Sequence, residues 1–296
     1  MTGADQAPAC SWKTDSISVL LVIACGLQCW RIIATKSSIL SRTNVTQRKY
    51  HQSRVKREYH KWFSHRLNRE MELLIFGQAG LRVIVFPTRQ GRFYDYENFG
   101  LVASLSPQIE SGRIQLFCVD SLDSESLYAS GKSPRDRIAR HTQYEQYILN
   151  EVVPLTACVN SDPNLAAHGC SIGAWHAVNI SLRNPWLFQR VVGLSGRYDL
   201  TQPVGSFPGL FDGHYDDDIY FHTPNHFIPN LSDSHVLGRL RNLQISLAVG
   251  EHDPFGGSNR RLSESLWEKG VAHTLDIWGG EAHRARYWRE MAPRYF

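Results

Sequence analysis

From residue 69 onward the chain alternates two hydrophobic rhythms. Short apolar runs rich in Val, Ile and Leu recur at residues 71–76, 81–88, 113–120, 165–168, 190–196, 242–250 and 273–278. The run LRVIVF is apolar at both odd and even positions, as expected of a strand buried on both faces of a parallel sheet. Between these runs lie stretches with apolar residues three and four apart. The first follows a Gly-containing loop, RQGRF, and continues helically toward Ile109. The next starts at Pro134 and places Ile138, Tyr144, Tyr147, Ile148 and Val152 at helical spacing. Helices are further expected over 174–183, stopped by Asn184-Pro185, over 258–270 with a terminal Gly, and over 284–295. Strands alternating with helices predict one α/β domain, a mostly parallel central sheet with helices on both faces.

Two segments depart from this rhythm. Residues 201–239 are rich in aromatics, Pro, His and Asp and keep no period, so they read as an excursion above the sheet. Residues 1–55 form a basic extension ahead of a body spanning 56–296. Within it, the apolar run 17–30 is shorter than the ~20 residues of a membrane span. It reads as a signal peptide or weak anchor behind Lys13, with Val22-Ile23-Ala24-Cys25 a loose lipoprotein-type box. The competing reading is an upstream start, the enzyme beginning near Val55. Residues 31–54 are basic, polar and aperiodic, as in a disordered tail.

Charge sharpens the picture. The chain carries 32 Lys+Arg and 28 Asp+Glu, a net charge of +4. Residues 1–55 hold seven Lys/Arg and two Asp, or +5, so the body is 4 − 5 = −1. Such a body offers no case for nucleic-acid binding. The six cysteines are scattered without metal-like pairs, and Cys118 and Cys170 fall in apolar surroundings as buried thiols. That favours a reducing compartment and a cytoplasmic location; the alternative is membrane anchoring or export through residues 17–30.

The chemistry centres on GCSIG, residues 169–173, a G-x-S-x-G pattern with a short strand before it and a helix after it. This is the context of a nucleophile elbow, in which small residues let a sharp turn lift Ser171 to the top of the sheet. A serine hydroxyl needs a base, and the base needs an orienting carboxylate. In this arrangement the order along the chain is Ser, acid, His. Asp253 follows the strand LAVG and His283 follows the strand LDIW, both at strand ends where parallel sheets place their sites. Asp199, in SGRYDL, is the competing acid. Glu251, Glu281, His252, His168 and His176 read as surface or core residues. A neutral histidine base implies activity rising with pH through the ordinary imidazole range of about 6.5. An oxyanion hole needs the backbone N–H of Ile172 and a second one from Thr88, Arg89 or Gln90, with Gly91 shaping that loop.

The stretches REYHKWFSHRLNREMELLIFG, VFPTRQGRFYDYENFG, GCSIGAWHAVN, DGHYDDDIYF, AVGEHDPF and WGGEAH resemble serine esterases of the α/β-hydrolase superfamily, the esterase D-like group. The resemblance spans about residues 56–296. It implies a serine carboxylic-ester hydrolase with Ser171 as nucleophile, Asp253 as acid and His283 as base, acting on a small-molecule ester without a cofactor. One departure is Arg284-Ala285 directly after His283, where similar proteins often carry an acidic/aromatic pair. The wall beside the histidine is therefore expected to be more cationic. Phe93, Tyr94 and Tyr215 are candidate substrate contacts. The excursion also carries His214, Asp216, Asp217, Asp218, His222 and His226, but without recurring ligand spacing, so no metal is expected. Two other functions compete with hydrolysis: acyl transfer on the same triad, and a catalytically silent fold that binds without turnover.

Overall fold

The computed structural model describes residues 55–281 and 283–296. The apolar run 17–30 and the basic segment 31–54 lie outside the described residues. Among the described residues no helix is long and apolar enough to cross a membrane.

Eight strands form one sheet: β1 (Arg57–Ser64), β2 (Arg69–Phe76), β3 (Leu81–Phe86), β4 (Ile114–Val119), β5 (Leu165–Cys170), β6 (Arg190–Leu194), β7 (Gln244–Gly250) and β8 (His273–Trp278). Their spatial order is β1-β2-β4-β3-β5-β6-β7-β8. β2 runs antiparallel to both of its neighbours, β1 and β4, and β3 to β8 run parallel. The apolar runs yield strands because alternate residues serve two cores. Ile84 and Phe86 of β3 enter one, and Val83 and Val85 the other. The first core is covered by helices α4 (Pro134–Tyr147), α6 (Ile172–Arg183) and α10 (Gly256–Glu268). The second is covered by three short helices, α1 (Asp95–Asn98), α2 (Leu101–Ser104) and α3 (Ser106–Glu110), and by α11 (Ala285–Met291).

Three local features differ from the sequence expectation. The periodic stretch toward Ile109 is three short helices, broken at Gly100, which takes φ 74°, and again at Leu105. The helix begun at Pro134 widens into a π-helical turn over Ile148–Val152 before α5 (Val153–Val159). The excursion holds three short helices, α7 (Asp217–Phe221), α8 (Pro224–Asn230) and α9 (Ser234–Leu240). Their caps come from Asp216 and Asp233, whose side chains accept first-turn N–H groups of α7 and α9.

Leu247 lies fully buried in β7, the strand that leads to Asp253. Leu247→Ala is expected to cost about 2–5 kcal/mol through lost burial and a residual cavity. Urea unfolding of the two proteins measures it; a loss under 1 kcal/mol, a cost too small for a fully buried leucine, would mean that β7 is not packed as described.

Candidate active site

The turn at Ser171 is built by backbone contact. A Cβ on Gly169 would lie 2.3 Å from the carbonyl carbon and oxygen of Gly173. A Cβ on Gly173 would lie 2.4 Å from the Phe86 carbonyl oxygen and 2.6 Å from that of Pro87. Both positions therefore require glycine. Ser171 itself takes φ 58° and ψ −123°, a sparsely populated conformation that costs on the order of 1–3 kcal/mol. It is held there by its N–H donating to the Leu194 carbonyl at 2.8 Å and by its carbonyl accepting from Ala174 at 3.1 Å.

The Ser171 hydroxyl stands 3.1 Å from His283 Nε2, and His283 Nδ1 stands 2.9 Å from Asp253 Oδ2. The Asp253 side chain is fully buried and that of His283 is 20% exposed. The other Asp253 oxygen, Oδ1, accepts the N–H of Phe255 at 2.9 Å, a local turn that fixes the carboxylate. The loops after β7 and β8 are tied together by the N–H of Glu251 donating to the Trp278 carbonyl and that of His252 to the Gly280 carbonyl. The His283 imidazole is walled by the rings of Phe255, Trp288 and Phe207 at 5.1, 5.5 and 6.3 Å between centroids. Ser171, Asp253 and His283, from the loops after β5, β7 and β8, thus stand in one hydrogen-bonded row.

Ile172 opens α6, so its N–H is among the first-turn donors without an acceptor inside the helix. The Phe86-Pro87 carbonyls against Gly173 bring the loop after β3 alongside it. Within that loop the Gln90 N–H donates to Asp123 Oδ2 at 3.2 Å and is engaged there. Thr88 and Arg89 are the two remaining sequence candidates. Asp123 is a residue that sequence reasoning missed. It is buried, and its Oδ1 meets His176 Nε2 at 3.1 Å, so the helix behind Ser171 holds the loop facing it. Its only local signal is a carboxylate in a polar, turn-rich stretch.

The other candidates sit elsewhere. Phe93 is buried against Tyr59 of β1, at the opposite sheet edge from β8, and its N–H donates to Asp120. Tyr94 is exposed beside it. Tyr215 is exposed on the excursion and its hydroxyl meets His226 Nδ1 at 2.8 Å. His226 in turn faces Asp199 Oδ2 at 3.4 Å, so the competing acid serves a different histidine. Burial pushes the Asp199 carboxyl up, but hydrogen bonds from His226 and from the Thr201 hydroxyl and N–H outweigh it and hold it at about 2. Arg284, Glu281, Glu251 and His252 are exposed, with Arg284 facing Glu281 at 3.6 Å. The cation next to His283 is therefore drawn to its own acidic neighbour. His168 is a core residue between the Val192 carbonyl and the Tyr96 hydroxyl, and burial pushes it down to about 4.

A strained serine between a strand and a helix, at the carboxyl ends of a mostly parallel sheet, defines an α/β-hydrolase fold. The chain belongs to the esterase family: residues 64–290 match the family model described as "Putative esterase". Carboxylic-ester hydrolysis is the activity that this membership assigns. Among solved structures the chain is similar to a ferulic acid esterase, at 15% identity and TM-score 0.65, covering 81% of this chain and 96% of that one. It is similar to an S-formylglutathione hydrolase from Agrobacterium tumefaciens, at 14% identity and TM-score 0.66, covering 83% and 94%. A fluorophosphonate-binding serine hydrolase from Staphylococcus aureus aligns at 13% identity and TM-score 0.61, covering 81% and 96%. These likenesses show the fold. A comparison of the sequence with curated proteins returned no match.

Gly173→Ala is expected to displace the loop after β3 or the elbow, lowering both the melting temperature and ester turnover. A variant with unchanged turnover and melting would contradict the backbone approach described above. Asp199 gives a pH prediction. Its folded value, about 2, lies below the ordinary 3.8, so its contribution is complete above 3.8 and is lost as pH falls through 2. Asp199→Asn should lower stability at pH 7 by an amount that shrinks on acidification, while leaving the Ser171–His283 contact in place. Urea titrations of both proteins between pH 7 and pH 3 read this directly; a pH-independent difference would show that the loss is steric.

Proposed function

We propose that the protein hydrolyses carboxylic esters through an acyl-enzyme on Ser171. The observation that carries this reading is the row from Ser171 Oγ through His283 to Asp253 Oδ2 at 3.1 and 2.9 Å. His283 Nε2 takes the hydroxyl proton as Oγ attacks the ester carbonyl carbon. Asp253, buried and fixed by Phe255, keeps the Nδ1 proton in place and favours the imidazolium that forms. The tetrahedral oxyanion faces the N–H of Ile172 and one from Thr88 or Arg89. His283 then returns the proton to the departing alcohol oxygen as the C–O bond breaks. A water molecule repeats the sequence: His283 takes its proton, the hydroxide adds to the acyl carbon, and Ser171 leaves with the proton restored. The carboxylic acid is released and no cofactor takes part.

The aromatic wall of Phe207, Phe255 and Trp288 around His283 supports a substrate with an apolar or aromatic group beside the scissile bond. Ferulic acid esters, named for one of the structural neighbours, are a sensible first screen, with short-chain aliphatic esters beside them.

A fluorophosphonate probe is expected to label wild type on the peptide containing Ser171 and to leave Ser171→Ala unlabelled. Ester turnover should fall by about 10,000-fold or more in Ser171→Ala and Asp253→Asn, and should persist in Asp199→Asn. Turnover surviving in a folded Ser171→Ala protein would remove the serine mechanism. Loss in Asp199→Asn with retention in Asp253→Asn would reassign the acid.

A further inference from the structure

Behind α6, away from the triad, three potential ligand side chains converge. His141 and Glu145 lie one turn apart on α4, and His222 follows α7 of the excursion. Their ligand atoms all lie within 4.8 Å of one another, and all three residues are buried, at 2%, 4% and 2% exposure. His222 is oriented as a donor-ready ligand. Its Nδ1–H donates to the Asp218 carbonyl at 2.7 Å, so Nε2 carries the lone pair, 3.7 Å from Glu145 Oε2. Both ring nitrogens of His141 are buried with no hydrogen-bond partner. A neutral imidazole has one lone pair and one N–H, and leaving them unmet inside a protein is unfavourable. A small void bordered by His141, Tyr144, Glu145 and His176 adjoins the cluster.

We propose that His141, Glu145 and His222 form a zinc site that clamps the excursion to α4. Two imidazoles and one carboxylate suit Zn²⁺, with water as the fourth ligand. Tetrahedral bonds of about 2.0–2.2 Å require the three side chains to draw inward by on the order of 1 Å. A cation already stands at this place. Arg183 Nη1 donates to Glu145 Oε1 and Oε2 at 2.8 and 2.9 Å and also contacts His222 Nε2. Its side chain is one-quarter exposed, so it has a route out to solvent. Zinc and the Arg183 guanidinium therefore compete for the same carboxylate and the same lone pair. The metal would reinforce an existing seam: Trp175 of α6 donates to the His222 carbonyl at 3.1 Å and its ring lies 4.8 Å from that of His141.

The test uses the full chain, stripped with chelator and titrated with Zn²⁺, with bound metal measured by elemental analysis and calorimetry and melting followed in parallel. Co²⁺ serves as a spectroscopic probe of nitrogen and oxygen coordination. Binding of a single zinc per chain with a raised melting temperature is expected, lost in His141→Phe and His222→Ala. Arg183→Met removes the competing cation and leaves the Glu145 carboxylate without its partner. It should melt lower than wild type without metal, bind Zn²⁺ about tenfold more tightly, and regain stability on binding. These readouts do not depend on ester turnover. Failure of the wild type to bind zinc would overturn the proposal. So would zinc binding that survives in folded His222→Ala, since the metal would then sit on exposed histidines such as His214 or His252. If His141→Phe does not fold, His222→Ala and the metal rescue of Arg183→Met decide the matter.

Discussion

The contact between Gly173 and the carbonyls of Phe86 and Pro87 sets the geometry of everything around Ser171. Three backbone segments meet there without an intervening side chain: the end of β5, the first turn of α6 and the exit of β3. Because they touch, the chain has too little room to pass from strand to helix through ordinary dihedrals, and Ser171 is forced to φ 58°. The same approach places the loop after β3 beside the first turn of α6, which begins at Ile172. Strain at Ser171 and proximity of the loop after β3 are thus two results of one close packing. Neither can be relaxed without losing the other.

This contact explains why the centre of the site was legible in sequence. Glycine at 169 and 173 is demanded by geometry, so the pattern reports a shape as well as a motif. The parallel strands were legible for a similar reason, since Val83 and Val85 feed one core while Ile84 and Phe86 feed the other. What escaped detection depends on distant partners. β1 alternates half-buried Glu58, His60 and Trp62 with exposed Arg57, Tyr59, Lys61 and Phe63, a weak hydrophobic signal, and it is a strand because β2 pairs with it. Asp123 is tied to Gln90 and His176, both far away in sequence. Phe93 follows the Gly91 loop in sequence, but Asp95 and Asp120 bind the N–H groups of Arg92 and Phe93 and place that ring against β1.

Asp199 and Asp253 show where local reading stops. Each follows a parallel strand, and each has one oxygen engaged by the N–H two residues ahead, in Thr201 or Phe255. Their immediate sequences do not distinguish them. The sheet does: β7 neighbours β8, so the loop after β7 meets the loop that carries His283, whereas Asp199 leaves β6 beneath the excursion and meets His226. Which carboxylate faces His283 is a consequence of strand order.

Helix α6 is where these contacts converge. Its first turn carries Ser171 and the Ile172 N–H. One turn on, His176 holds Asp123, and through it the loop after β3. Trp175, fully buried, holds the excursion by its bond to the His222 carbonyl. At its last residue Arg183 reaches Glu145 of α4 and the same His222. A helix buried from residue 172 to residue 182 cannot shift at one end and stay fixed at the other, because dense packing transmits displacement. The excursion is therefore joined to α6 at two places, by Trp175 in its middle and by the Arg183 cation between Glu145 and His222 at its end. Displacing that cation would disturb the end of α6 opposite Ser171.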